Sequence, residues 1–396
     1  MTARDELNQF RSKVANFIES ELPDSLRNRS TVRSAFEEDG GADYTEPSLR
    51  DARARWREAL RARGWLAPAW PVKYGGGGLS PAHQFVLIDE FIKRDAPRFF
   101  DMGLGMIGPT IISHGKEEQK QRMLPPILTG EHEWCELFSE PAAGSDLAGL
   151  QCRAVKDGDE YLVNGQKIWT TLANRANWGL LMARTNPEAP RHLGISMLRV
   201  NMRAPGVTVR RIQNLTNHEF NEVFFEDVRV PANDVIGEEG RGFYYLMSLL
   251  DTERSAVSQV ASIERTLESL FQLAQSPELP PLSKAARMEL ANRAIEVEVL
   301  RGLSQGVAEL QFAGKPPAHQ ASVLKLYHTE LAQRIAATAM KMIETHGLLF
   351  RGDKHAPFDG MIAQQYLYAS TLTLQVGTSE IQRNIIATRG LGFPRG

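Results

Sequence analysis

The sequence predicts an α+β multidomain protein: an N-terminal α-helical domain (1–130), a middle antiparallel β-domain (131–240) and a C-terminal four-helix bundle domain (241–396). Three observations lead there. Apolar residues recur at helical spacing up to about residue 130. Short apolar or alternating segments divided by polar turns follow. Helical periodicity then returns from Gly242 onward.

Leu7, Phe10, Val14 and Phe17, with charges between them, mark an amphipathic helix over 5–23, and a second is expected over 48–63. The stretch 65–79 is rich in Pro and Gly, with glycine at every position from 75 to 78, and interrupts the pattern. Helices over 81–94, 108–114 and 117–129 complete the first domain. Strands are expected at 149–155, 160–169, 178–184, 194–200, 207–215 and 221–230, as an antiparallel sheet or small barrel. Turn residues at 231–234 and 237–240 end that block. Helical segments at about 245–275, 283–310, 320–345 and 358–372 precede a final helix over 380–388. A four-helix bundle is the simplest way to bury several long apolar stripes.

Bulk properties narrow the function classes. A net charge of -2 gives no electrostatic case for nucleic acid or acidic lipid. Cys135 and Cys152 form neither a zinc constellation nor a disulfide framework and fit a reducing compartment. The first residues carry no apolar leader, and no run of about 18 apolar residues occurs, so a cytoplasmic protein without a membrane span is expected.

Two segments carry the chemistry: Ser139-Glu140-Pro141-Ala142-Ala143-Gly144-Ser145-Asp146 and Asn164-Gly165-Gln166-Lys167-Ile168-Trp169-Thr170-Thr171. Ser139, Ser145 and Thr171 offer hydroxyls, Gly144 and Gly165 let backbone approach closely, and Trp169 offers a stacking face. Such a set suits an isoalloxazine or similar flat ring. The alternative is that both segments are plain turns and Trp169 is core. No GxGxxG, P-loop, HExxH or paired-cysteine motif occurs, and no βαβ unit is present for a Rossmann site.

Together with Tyr74-Gly75-Gly76, Phe225-Glu226-Asp227-Val228-Arg229-Val230-Pro231 and Gly377-Thr378-Ser379-Glu380-Ile381-Gln382-Arg383, these segments resemble the acyl-CoA dehydrogenase family over essentially the whole chain. The resemblance implies the same three-domain fold, FAD at subunit interfaces of a homotetramer, and oxidation of an acyl-CoA thioester to the trans-2-enoyl-CoA. A base takes the α-proton, flavin N5 takes the β-hydride, and an electron-transfer flavoprotein reoxidises the cofactor. By resemblance, Phe138, Ser139 and Thr171 contact the flavin, Trp169 lies against its face, and Thr378 and Glu380 touch FAD. Ser145 lies near both flavin and the pantetheine or pyrophosphate, with Asp251 and Arg254 on the CoA side. The backbone N–H of Val376 would polarise the thioester carbonyl.

Many members carry the catalytic glutamate where this chain has Val376. An isovaleryl-type and long-chain-type subset places it on a C-terminal helix instead, in a pattern similar to Leu250-Asp251-Thr252-Glu253-Arg254, which makes Glu253 the expected general base. Glu140, before Pro141 in a turn, and Glu380, at a flavin-contacting place, are the poorer choices. The family's Arg-x-x-Phe-Gly segment is replaced by Pro277-Glu278-Leu279-Pro280-Pro281-Leu282-Ser283-Lys284, and its Gln-x-x-Gly-Gly run by Lys341-Met342-Ile343-Glu344-Thr345-His346-Gly347. Either a homomer binds FAD through altered contacts, or a partner subunit supplies them, as in heteromeric relatives acting on steroid side-chain thioesters. An oxygen-reacting acyl-CoA oxidase is the other enzymatic alternative. Val376 leaves volume beside the substrate, which favours branched, ring-bearing or long acyl groups.

Overall fold

The structure, a computed structural model, describes residues 3–27, 47–99, 101–216, 218–252, 257–275, 281–313, 315, 317–350 and 352–394. Its α-helices are α1 (Ala3–Glu21), α2 (Pro47–Ala62), α3 (Pro81–Lys93), α4 (Gly108–His114), α5 (Glu117–Thr129), α6 (Gly242–Thr252), α7 (Val257–Ala274), α8 (Lys284–Phe312), α9 (Ala318–Ile343), α10 (Met361–Leu372) and α11 (Ser379–Ile385). The strands are β1 (Trp134–Leu137), β2 (Arg153–Asp157), β3 (Glu160–Thr171), β4 (Trp178–Arg184), β5 (Ile195–Asn201), β6 (Val207–Ile212) and β7 (Phe220–Pro231). The chain divides into two compact units. One takes Met1–Trp56, Ser80–Arg98 and Asp251–Gly396; the other takes Arg57–Leu79 and Phe99–Leu250.

In the first unit, α1 buries Val14 and Phe17 of the predicted apolar face, together with Ile18, while Leu7 and Phe10 are half-buried. Phe17 stacks on Trp56 at 5.5 Å, and the Trp56 indole N–H donates to the Pro97 carbonyl at 2.8 Å. Four helices, α7 to α10, share one core that includes Ile263, Leu300, Leu331, Ile335 and Ile362. Ion pairs Arg334–Glu296 (2.9 Å) and Lys341–Glu289 (2.7 Å) link α8 to α9 on its margin. The single expected helix over 245–275 corresponds to α6 and α7, with residues 253–256 outside the described ones.

In the second unit, a seven-stranded sheet runs β1-β4-β2-β3-β7-β6, with β5 on β4. Most pairs are antiparallel, led by the long β3–β7 ladder, while β1–β4 and the single Arg153–Arg184 pairing are parallel. Inward residues Leu137, Ala154, Tyr161, Val163, Leu181, Leu198, Val223 and Val228 make its core.

Two expected strands are shorter than read. The run from 149 opens as a 3₁₀ turn at Leu147–Gly149, and β2 starts only at Arg153. The N–H groups of Gln151 and Cys152 are taken by the Glu140 carboxylate, so they are withheld from a ladder. β6 stops at Ile212 because Asn214 accepts the Thr216 N–H through its side chain, closing a turn. Gln119 of α5, buried, donates to the carbonyls of Asn233 and Val235 and accepts the Gly237 N–H, which secures the end of the β-block.

Candidate active site

The two chemically rich segments meet through a buried ion pair. After β1, Phe138 and Ser139 are half-buried and lead into a tight turn in which Glu140 and Ala143 exchange backbone hydrogen bonds of 3.1 and 3.0 Å. The Glu140 carboxylate, 9% exposed, accepts from Lys167 Nζ at 2.8 Å, Gln151 N–H at 2.7 Å and Cys152 N–H at 2.9 Å. Lys167 is fully buried and also donates to the Phe138 carbonyl at 3.0 Å, while the Ile168 N–H reaches the Ser139 carbonyl at 2.9 Å. Burial lowers the Lys167 pKa, against the pull of the Glu140 carboxylate. Three donors thus engage the Glu140 carboxylate. Sequence reading missed Lys167, yet it lies on the inward parity of β3 with Tyr161 and Val163, where an apolar residue belongs.

Gly165 is explained without a ligand. Its φ is +148°, and a Cβ there would lie 2.7 Å from the Cα of Cys152, the residue just before β2. That corrects the expectation that its open backbone serves a bound ring: the chain entering β2 fills the space. Gly144, by contrast, faces open space.

Trp169 is not core. The β3–β7 register slips between Lys167 and Thr170, and in this bulge Trp169 takes φ +60° with 57% of its surface exposed. Its indole meets Phe220 edge-on at 6.1 Å. Asn221, fully buried, donates to the Thr170 carbonyl at 3.0 Å and the Glu219 carbonyl at 3.2 Å, fixing the bulge. Thr171 is half-buried beside it, and Ser145 is exposed. The nearby Asp146 pairs with Arg191 at 2.6 Å. Phe138, Ser139, Ser145, Trp169 and Thr171 all belong to this second unit.

In the first unit, the turn between α10 and α11 carries Val376, Thr378 and Glu380. Val376 has φ +49° and Gly377 φ +83°. Val376 is 56% exposed, and its N–H has no acceptor among the described residues. Lys325 of α9 donates to the carbonyls of Gly377 (2.7 Å) and Leu372 (3.1 Å), and the Gln382 amide donates to those of Val376 (3.2 Å) and Gly377 (3.3 Å). Thr378 caps α11, its hydroxyl oxygen accepting the Ile381 N–H at 3.2 Å. Glu380 is exposed, and its carboxyl is held below the usual range first by a backbone N–H and then by the Thr378 hydroxyl. Beside it lies a cleft of about 470 Å³ lined by Glu330, Arg334, Thr373, Glu380 and Arg383. Both arginines there already face carboxylates, Arg383 that of Glu330 and Arg334 that of Glu296.

Glu253 and Arg254 lie outside the described residues, as does the Pro277–Pro280 stretch. Asp251 sits in the last turn of α6. Burial raises the thiol pKa of Cys135 and pushes that of Cys152 up to about 11, so neither is a ready nucleophile. Among the described residues no His/Cys/Asp/Glu group is arranged to hold a metal, and no helix is long and apolar enough to cross a membrane.

Models of the N-terminal, middle and C-terminal domains of acyl-CoA dehydrogenase match residues 4–131, 135–228 and 240–391. The acyl-CoA dehydrogenase IpdE1 of Mycobacterium tuberculosis is 33% identical over 98% of this chain and 98% of its own. Acyl-CoA dehydrogenase FadE26 of the same organism is 35% identical over 84% of this chain and 86% of its own. Among solved structures, the Tcur3481-Tcur3483 steroid ACAD superposes with a TM-score of 0.83 at 31% identity, covering 99% of this chain and 98% of that one. The ChsE4-ChsE5 complex from Mycobacterium tuberculosis does so at 0.80 and 31% identity, covering 100% and 99%.

Proposed function

The chain belongs to the acyl-CoA dehydrogenase family of flavin oxidoreductases, and on that premise we propose that it oxidises an acyl-CoA thioester to the trans-2-enoyl-CoA with FAD. The observation that carries the proposal is the Val376 turn: an amide N–H without an acceptor among the described residues, on an exposed residue, in a backbone whose carbonyls are pinned by Lys325 and Gln382. A fixed donor of this kind stabilises the enolate oxygen as it develops. Val376 has no group to take the α-proton, which leaves that task to Glu253. A carboxylate in apolar surroundings has a raised pKa and is a stronger base near neutral pH.

The donor set fits FAD. Trp169, held out by the bulge, would lie against the flavin face, and Phe138, Ser139 and Thr171 would contact the ring; Thr378 and Glu380 would contribute from the α11 start, and Ser145, Asp251 and Arg254 would meet CoA. When bound, FAD supplies the acceptor for the β-hydride. We further propose domain limits at 1–130, 131–240 and 241–396, a cytoplasmic homotetramer, and an electron-transfer flavoprotein as oxidant. A second reading, a heteromer acting on a ring-bearing steroid-type thioester, is favoured by one observation. The arginine segment expected to reach a neighbour's FAD is replaced by the proline-rich 277–284 stretch.

The test is anaerobic bleaching of the purified protein's flavin by straight, branched, cyclic and steroid acyl-CoA thioesters, with recovery in air recorded. Dehydrogenase behaviour is bleaching with slow recovery; fast recovery identifies an oxidase. Glu253→Gln is expected to retain FAD and lose bleaching, and near-normal reduction in that variant overturns the base assignment. Absence of flavin from the chain purified alone supports the heteromer.

A further inference from the structure

We infer that Lys325 is a positioning residue for this reaction: its ammonium clamps both ends of the turn over 372–378 and so holds the Val376 N–H in place for a thioester carbonyl. The catalytic half of this inference rests on the dehydrogenase reading; the clamp itself does not.

The geometry is specific. Nζ of Lys325 donates to the Leu372 carbonyl at 3.1 Å, where α10 ends, and to the Gly377 carbonyl at 2.7 Å, just past Val376. One cation therefore bridges the start and finish of the turn. It also faces the carbonyl end of α10, where positive charge is favourable. The turn needs such a tie. Val376 and Gly377 both occupy the left-handed region, and a β-branched side chain rarely does so unless its surroundings over-determine it. Gln382 holds the same two peptides from the other side, and a Cβ on Gly377 would meet its Nε2 at 2.7 Å. The Val376 N–H, without an acceptor among the described residues, lies in the same turn as these fixed carbonyls. A donor on a turn free to relax would lose the alignment that makes it effective.

Burial pushes the Lys325 ammonium down to about 8. The ionisable groups facing it are His328 and Glu330 on its own helix and Glu380 on α11; α10 brings no carboxylate or cation. His328 is neutral at that pH, and Glu330 is engaged by Arg383. Above pH 8 the clamp therefore weakens, because a neutral amine is a poorer donor than an ammonium.

The experiment uses the FAD-loaded protein and two readouts. Amide hydrogen exchange across 372–382 reports the clamp, and the anaerobic flavin-reduction rate reports catalysis. In Lys325→Met, exchange in that segment is expected to rise about tenfold. The reduction rate should fall about 10- to 100-fold, with FAD content and thioester affinity little changed. Wild type should lose rate as pH rises through about 8, a limb absent from Lys325→Met, and Lys325→Arg, which keeps a cation, should recover part of the rate. Unchanged exchange in Lys325→Met overturns the clamp, and faster exchange with undiminished reduction overturns its catalytic role. Should Lys325→Met not fold, a wild-type rate that stays flat through that pH range, or a Lys325→Arg protein with wild-type exchange and crippled reduction, overturns the inference. A wild type bleached by no thioester refutes the dehydrogenase reading and takes the catalytic half with it; being a wild-type result, it is told apart from any failure of the clamp.

Discussion

Lys167→Met is the sharpest test of how the shelf is held. Methionine keeps most of the aliphatic stem and removes the ammonium, so bonds to the Glu140 carboxylate (2.8 Å) and the Phe138 carbonyl (3.0 Å) are lost. Glu140 stays buried with only the Gln151 and Cys152 N–H groups facing it. Breaking one side of a buried pair costs about 3–5 kcal/mol. The two backbone donors that remain offset part of this, which places the expected loss near the lower end, about 3 kcal/mol. At roughly 2–4 °C per kcal/mol for a unit of this size, the melting temperature should fall by about 6–12 °C. Differential scanning calorimetry of the FAD-loaded protein, with flavin absorbance followed through the same ramp, reads both unfolding and cofactor release. Flavin should leave earlier in the variant, since the Phe138 and Ser139 backbone is what Lys167 and its neighbour hold. Adding Glu140→Gln to Lys167→Met removes the stranded charge and should recover part of the loss, a coupling only paired groups show. A fall of less than about 2 °C in Lys167→Met, or strict additivity in the double variant, would refute the reasoning.

Gly165→Ala should destabilise by about 1–3 kcal/mol through overpacking on Cys152 and a backbone angle that L residues avoid, read by urea melts; an unchanged midpoint contradicts the packing account. His328 is buried in α9, and its pKa is lowered to about 4, mainly by burial, from an unfolded value near 6.5. A depressed folded pKa means the unfolded state binds the proton more readily. The associated stability is therefore complete above about pH 6.5 and lost as pH falls toward 4, about 3 kcal/mol in all. Urea melts at both ends of that window should show the loss in wild type and a flatter profile in His328→Leu; equal losses in both exclude His328 as the source.

Much of the architecture was readable because it rests on periodicity. The stripe of Val14, Phe17 and Ile18, the strands β3, β4 and β7, and the helices of the bundle each carry a repeat that a single burying face imposes. Strand direction is different. Whether β1 runs parallel to β4 depends on which edge the chain returns to, and apolar alternation is the same either way. Strand ends depended on individual side chains acting on backbone N–H groups: Asn214 two residues away for β6, and Glu140 for β2 from eleven and twelve residues away, which local pattern does not encode. For the site, resemblance supplied the proposed positions, and residue types alone left Trp169 between core and surface. The bulge puts it outside the core, and the bulge is held by Asn221, which lies 51 residues from the Thr170 carbonyl that it holds.

The supporting residues that the sequence did not single out share a logic. Trp169 at φ +60° and Val376 at φ +49° are an aromatic and a β-branched residue in a region both disfavour. Asp95 and Asp227 also have positive φ, but aspartate tolerates it. Strain at Trp169 and Val376 persists only if neighbouring bonds over-determine the backbone. At Trp169 that task falls to Asn221, and at Val376 to Lys325 and Gln382, each donating to main-chain carbonyls next to the strained residue. Asn221 and Gln382 are buried polar side chains, a class that costs stability unless hydrogen-bonded. Asn221, on the same face of β7 as buried Val223 and Phe225, is thus the sequence trace of the bulge. In each unit the local shape is set less by the groups that would touch a ligand than by the supports beneath them, which is why substitutions at Lys167 and Asn221 should disturb cofactor binding, and one at Lys325 the reduction rate, without any of the three touching a ligand.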